Sequence, residues 1–244
     1  MTAKLRAWLI TAPGITLATV LCGTTSLLVS LADSSGRAAH RVAQFWARLL
    51  LAISGVRAKI EGLEHIARDG AYVFVSNHLS LMDTPLVLAH IPAQFRFLAK
   101  RSLYKVPFIG YHLHRAGHIP VERDNPRSSL RTLAAAARAV RERGVSLLVF
   151  PEGSRSRGTL GEFREGAAYI AIQAGVPAVP VGITGTREIL PTGSLTVRSG
   201  PVTLRIGRPI PTQGLATRDH KQLTALLRER VAELIGAEAV GAPR

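Results

Sequence analysis

Long apolar stretches come first along the chain and short, strand-like ones after them, and that order sets the layout. From Ala7 to Ala32 no residue is charged. As a helix this run reaches about 39 Å, against about 30 Å for a bilayer core. Pro13-Gly14 is expected to interrupt it, and five Thr and two Ser dilute it. Beyond Gly14 the remaining residues span about 27 Å, so the segment reads as membrane-embedded, with full spanning marginal. A signal peptide fits less well: Ser30-Leu31-Ala32 resembles a cleavage site, but the apolar run exceeds the usual length of about 7–15 residues. The lone cysteine, Cys22, is expected to be a buried apolar side chain.

Arg37 to Ser54 places Val42, Phe45, Trp46, Leu49, Leu50 and Ile53 on one helical stripe, with Arg41, Gln44 and Arg48 off it. A basic amphipathic helix carrying a tryptophan suits a membrane interface, although the same stripe would serve a helix packed on a core. Arg37, Arg41, Arg48, Arg57 and Lys59 follow the apolar run, and only Lys4 and Arg6 precede it. That asymmetry predicts a main domain on the cytoplasmic side.

Downstream, strand-like runs alternate with helical periodicity. Strands are predicted over Val56–Ile60, Ala71–Ser76, Phe95–Ala99, His118–Val121, Val145–Phe150 and Ala178–Ile183. Helices are predicted over Asp83–Ile91, Pro126–Arg143, Glu165–Ala174 and the stretch from Leu223 to Ile235, and a broken helix runs through His114. In Pro126–Arg143 the inward face is expected to hold Leu130, Leu133, Ala137 and Val140. A hairpin is expected from 195–198 and Val202–Ile206 around Ser199-Gly200. The expected fold class is α/β, a mixed sheet covered by helices with an N-terminal membrane-interacting two-helix segment. The organisation expected is 1–56 for anchoring helices, 57–236 for the main domain and 237–244 for a frayed tail. Deleting 1–55 would then release a soluble domain.

Hydrophobic residues make up 47% of the 244 and charged residues 19%, which excludes disordered and low-complexity classes. The formal net charge is +15, pointing to anionic partners: nucleic acid, phosphate-bearing substrates or an anionic membrane. Few aromatics and no nucleic-acid-binding motif argue against nucleic acid.

Candidate chemistry clusters at strand ends. Asn77-His78-Leu79-Ser80-Leu81-Met82-Asp83 follows the AYVFVS strand and opens a helix, where α/β folds place ligands. His78 can accept a proton, and Asp83 can fold back to hold its second ring nitrogen or simply cap the helix. Phe150-Pro151-Glu152-Gly153-Ser154-Arg155-Ser156 follows another buried strand and offers an acceptor and several donors, suited to a phosphate beside a polyol, or to a solvated turn. Gly117 to Arg123 ends a third strand with a cation. A metal site from His112, His114 and His118 lacks a regular spacing and an accompanying carboxylate cluster, and no Gly-x-Ser-x-Gly elbow is present for a serine hydrolase.

Taken in order, these stretches resemble the glycerophospholipid acyltransferase family, whose bacterial members include 1-acyl-glycerol-3-phosphate acyltransferases. Asn77, His78 and Asp83 match its Asn-His-x4-Asp signature; Gly117 and Arg123 match its Gly…Arg stretch. Phe150 to Ser156 match Phe-Pro-Glu-Gly-Thr-Arg-Ser, with Ser154 in place of Thr, and Val176-Pro177-Ala178-Val179-Pro180-Val181 matches its last strand. Phe163-Arg164-Glu165-Gly166 departs from a stretch where the family often carries two cations. The resemblance implies acyl transfer from acyl-CoA or acyl carrier protein to a lysophospholipid hydroxyl, with no cofactor and no metal. It implies that His78 is the general base and Asp83 its partner. Glu152, Gly153, Ser154 and Arg155 would hold the glycerol phosphate, with Arg123 a second phosphate contact and Lys100 a further one nearby. Lysophosphatidate is the expected acceptor; lyso-ornithine lipid is the alternative, and a non-catalytic membrane-surface lipid-binding protein is the alternative of a different class.

Overall fold

The computed structural model describes residues 3–33, 35–106, 109–121, 126–156, 158–194 and 196–236. Its N-terminal region is helical without a break: α1 (Ala3–Arg6), a π-helical turn (Ala7–Thr11) and α2 (Ala12–Ala32). Pro13-Gly14 therefore does not interrupt the run. Pro13 lies in the first turn of α2, where a missing N–H costs little, and the wider π turn precedes it, with Ala12 N–H donating to Ala7 O. Helix α3 (Arg37–Ser54) returns antiparallel to α2, and Gly14 lets the pair close, since a Cβ there would stand 3.2 Å from Ile53 Cγ2. The helix Ala7–Ala32 is long and apolar enough to cross a membrane, and Trp8, Leu9, Leu17, Leu28 and Leu31 on it are exposed.

Helix α3 serves two partners. Val42 and Trp46 face α2 across a groove, whereas Ala47, Leu50 and Leu51 join the core beneath. Residues 1–56 are therefore not all removable. Deleting 1–33 strips only α1 and α2; deleting 1–55 also takes two buried leucines, each worth about 2–5 kcal/mol. The shorter deletion should retain a cooperative thermal melt in neutral detergent, and the longer one should lose it. Equal melts for both would contradict this packing.

The sheet comprises β1 (Val56–Glu61), β2 (Val73–Ser76), β3 (Phe95–Lys100), β4 (Ile119–Val121), β5 (Ser146–Val149), β6 (Ala178–Thr184) and β7 (Gly200–Ile206). Their order is β1-β7-β6-β2-β5-β3-β4, parallel except for the β6–β7 pair. The expected hairpin does not form. Leu195 lies outside the described residues, 196–199 are not strand, and β7 inserts between β1 and β6. A strand's alternation reveals its faces but not its partners.

Helix α4 (Asp83–His90) lies with α3 on one face of the sheet, around Phe74, Phe95, Leu86 and Leu204. On the other face lie α6 (Pro126–Arg143), α7 (Gly166–Ala174) and α9 (His220–Ile235), around Val73, Leu147, Ile170 and Leu227. Leu130 of α6, expected inward, is exposed. Helix α5 (Ile109–Arg115) and the single turn α8 (Thr186–Ile189) fill in the periphery. The chain leaves β2 into α4 and leaves adjacent β5 toward α7, on opposite faces of the sheet. Diverging connections from neighbouring parallel strands open a crevice at their C-terminal ends.

Two histidines, His40 buried and His118 half-buried, should make this fold sensitive to acid. His118 Nδ1 accepts from Phe97 N–H at 3.0 Å, and His40 packs edge-on against Phe95. Burial, aided by the charge of Arg96, pushes His118 down to about 3 and His40 to about 4, from an ordinary 6.5. The folded state keeps both neutral while the unfolded chain protonates them below about pH 6.5, so stability is intact above that value and drains as pH falls toward 4. The loss is about 1.4 kcal/mol per pH unit per group. Thermal midpoints in neutral detergent should drop clearly between pH 7.5 and 4.5; a constant midpoint would contradict the burial of these rings.

Candidate active site

The loops after β2 and β5 meet at the crevice. Asn77 continues the β2–β6 ladder with its side chain: Oδ1 accepts from Ile183 N–H at 2.8 Å and Nδ2 donates to Ile183 O at 2.9 Å. This holds the end of β2 and sets the direction of the next residue, His78. Asp83, the first residue of α4, is fully buried. Its Oδ2 accepts from His78 Nδ1 at 2.7 Å and from the N–H groups of Leu79 and Ser80 at 2.7 and 2.9 Å; its Oδ1 accepts from the Thr186 hydroxyl at 2.5 Å. Four donors thus converge on this one carboxylate. Asp83 thus both closes the 78–83 turn and holds the ring, so the two roles open from sequence are one arrangement.

The His78 ring stacks on Phe150, centroids 4.1 Å apart and 17° from parallel, which fixes its plane. With Nδ1–H given to Asp83, Nε2 keeps its lone pair and has no hydrogen bond among the described residues. A fixed, oriented imidazole with one free nitrogen can remove a proton from a hydroxyl placed before it.

Glu152 stands between the two loops. Its Oε1 accepts from His78 N–H at 2.8 Å and its Oε2 from Gly161 N–H at 2.9 Å. Burial raises its pKa, against the opposing pull of those two donors. These two bonds tie the two loops together, and Ser156 N–H adds a third tie to His78 O at 2.8 Å. Arg228 of α9 holds the 160–161 stretch from behind through Gly161 O and Leu160 O.

Gly153 turns the chain with φ +76°, Ser154 is exposed, and Arg155 is half-buried beside them. Lys100 ends β3 on the same edge but is exposed and makes no hydrogen bond to His78 or to 150–156 among the described residues. Arg123 lies outside the described residues. Gly117 precedes β4 and so sits at the opposite edge of the sheet. His112 and His118 are engaged elsewhere, His112 Nδ1 with the Ser26 hydroxyl at 3.1 Å.

Three residues near the site were not singled out from sequence. Thr186 reaches Asp83 from 103 residues away, and only the β2–β6 pairing brings them together. Arg164 lies on the glutamate loop: a Cβ at Gly153 would stand 3.2 Å from its Nε. Arg187 approaches the same loop at Gly158. Glu165, next to Arg164, pairs instead with His220 at 2.7 Å on the surface.

A family model described as Acyltransferase matches residues 57–184, the segment that carries His78, Asp83 and Glu152 to Ser156. The chain belongs to the acyltransferase family. Among its relatives is a chloroplastic 1-acyl-sn-glycerol-3-phosphate acyltransferase of Brassica napus, 36% identical over 174 residues, covering 70% of this chain and 50% of that protein. The human 1-acyl-sn-glycerol-3-phosphate acyltransferase alpha is 30% identical over 175 residues, covering 71% of this chain and 62% of that one. The chain spans about half the length of the plant relatives it matches. A solved structure, the 1-acyl-sn-glycerophosphate (LPA) acyltransferase PlsC from Thermotoga maritima, superimposes with a TM-score of 0.78 at 29% identity. It covers 96% of this chain and 98% of that one, so the likeness includes the N-terminal helices.

Proposed function

We propose that this acyltransferase moves an acyl chain from a thioester, acyl-CoA or acyl carrier protein, to the sn-2 hydroxyl of 1-acyl-glycerol-3-phosphate, forming phosphatidate. The observation that carries the reading is the His78–Asp83 pair, with a free Nε2 at the edge where the 152–156 loop, carrying Arg155, emerges. His78 Nε2 takes the hydroxyl proton as the oxygen attacks the thioester carbonyl. The tetrahedral intermediate collapses with cleavage of the C–S bond, and the departing sulfur takes the proton from the imidazolium. The acceptor hydroxyl is the nucleophile, so no covalent enzyme intermediate and no cofactor enter. Asp83 holds the ring and stabilises the imidazolium. Glu152 acts as a positioning residue for the His78 backbone, while Arg155 supplies charge for the phosphate, a role the family resemblance also gives to Arg123 and Lys100.

The substrate lives in a bilayer, and the N-terminal helices suit that. Both ends of α2 touch the rest of the protein, Gly14 at Ile53 and Ser30 at Arg115, so the helix lies along the domain rather than projecting from it. Its outward leucines would then enter one leaflet, with the catalytic domain on the cytoplasmic face of the inner membrane.

Arg155→Ala should separate acceptor recognition from chemistry. Loss of a phosphate-pairing cation costs about 2–5 kcal/mol, at least tenfold in kcat/KM for lysophosphatidate. A neutral lysolipid should be affected much less. Equal losses for both acceptors would assign Arg155 to structure rather than to phosphate.

A further inference from the structure

At the sheet edge opposite His78 lies a cavity of about 720 Å³, within the usual range for small-ligand sites of about 300–1,000 Å³. It opens where α3 meets the turn before β2, the end of α4 and the turn before β5. Arg37, Arg41 and Arg48 line it from one side of α3, and Arg68 faces them from the turn before β2. Asp69 is its only carboxylate among the described residues, and His90 adds an imidazole. None of the four arginines makes an ion pair among the described residues. Arg48 Nε donates to Ala89 O at 3.2 Å and Gln44 Nε2 to Ile91 O, so two carbonyls at the end of α4 are held from α3. Four guanidinium groups against one carboxylate, in a concave site, match a phosphate group, which arginine binds through paired N–H donors.

A lipid headgroup is the source the surroundings favour. At about 100° per residue, Phe45 falls on α3 between the arginine side and the side facing α2, and the residue is 60% exposed. Beyond it lies the exposed apolar face of α2. An apolar surface flanked by a cationic hollow is how a protein seats a phospholipid with its headgroup in the hollow.

We propose that this cavity binds the phosphate of an anionic phospholipid, at a site separate from the acyl-transfer centre. Strand β2 alone separates the two edges by about 13 Å. The proposal does not depend on the acyl acceptor, because binding is read without turnover.

The test uses the full chain and the double variant Arg41→Glu/Arg68→Glu, with Arg138→Glu/Arg141→Glu on α6 as a charge-matched control. Flotation is measured with vesicles of phosphatidylcholine alone and with 30% phosphatidylglycerol. Line broadening of inorganic phosphate by ³¹P NMR, in neutral detergent, forms a second arm. The cavity variant should lose its preference for the anionic vesicles by at least about tenfold, with the control changed much less. It should keep its melting midpoint and its acyl-transfer rate in neutral detergent micelles. If only the phosphate broadening depends on Arg41 and Arg68, the site stands and its ligand is a free phosphate. If the two variants behave alike in both arms, the binding is diffuse attraction and the proposal is overturned.

Discussion

His78→Ala should lower acyl transfer by about 10²–10⁴-fold while leaving the fold and membrane binding unchanged, the range attributed to a placed general base. An alcohol attacks poorly unless its proton leaves as the C–O bond forms. Nε2 of His78 is the ring nitrogen left open for that proton, since Nδ1 is bound to Asp83 at 2.7 Å and the ring plane is held by Phe150. The side chain is not a keystone of the fold: Asp83 keeps its bonds from Leu79, Ser80 and Thr186 when the imidazole is removed. The variant should therefore melt close to the native midpoint. The decisive readout is kcat with unchanged melting; an active His78→Ala protein would move the chemistry elsewhere.

Asp83→Asn should come next in size, and for a reason the geometry narrows. An amide nitrogen in the place of Oδ2 would face three N–H donors, so the amide oxygen takes that place. The NH₂ then lies against Thr186, whose hydroxyl can turn and accept. The ring keeps its tautomer and the turn keeps its bonds. What disappears is the negative charge opposite the imidazolium. At an effective dielectric near 20 that charge is worth about 3–4 kcal/mol at this range, or about 10²–10³-fold in kcat. Asp83→Ala, by contrast, would orphan several donors at about 1–3 kcal/mol each and should unfold readily. Thr186→Val removes a single bond to Asp83 and should fall between native and Asp83→Asn in kcat. Asp83→Asn retaining more than a tenth of the native rate would contradict this account of the pair.

The contrast between Thr186 and His78 shows where sequence reading ends. AYVFVS and SLLV announce their strands by continuous apolar character, and both loops that follow them carry the polar groups that meet at the crevice. His78 and Asp83 are five residues apart, close enough for chain geometry alone to suggest contact. Thr186 lies 103 residues from Asp83 and follows an unremarkable Gly-Ile-Thr-Gly, so only the pairing of β2 with β6 reveals it. Strand β7 was legible as a strand but not as the neighbour of β1, because pairing over such separations leaves no local trace. Pro13-Gly14 looked like a break because helix propensity says nothing of a π turn that accommodates it. Glu152 carries the charge expected of a ligand contact, but its bonds from the N–H groups of His78 and Gly161 were not legible, because backbone donors have no letter in a sequence. Arg164 was passed over for the same reason: the turn at Gly153 that brings it close is a matter of backbone shape.

The most direct measurement is product identification by mass spectrometry, with the purified full chain, an acyl thioester and a panel of lysolipids in neutral detergent. Lysophosphatidate should be converted to phosphatidate with release of the free thiol, well ahead of lyso-ornithine lipid and neutral lysolipids, and His78→Ala should form almost none. Preferred acylation of a lysolipid without a phosphomonoester, or no acylated product from any of them, would contradict the account.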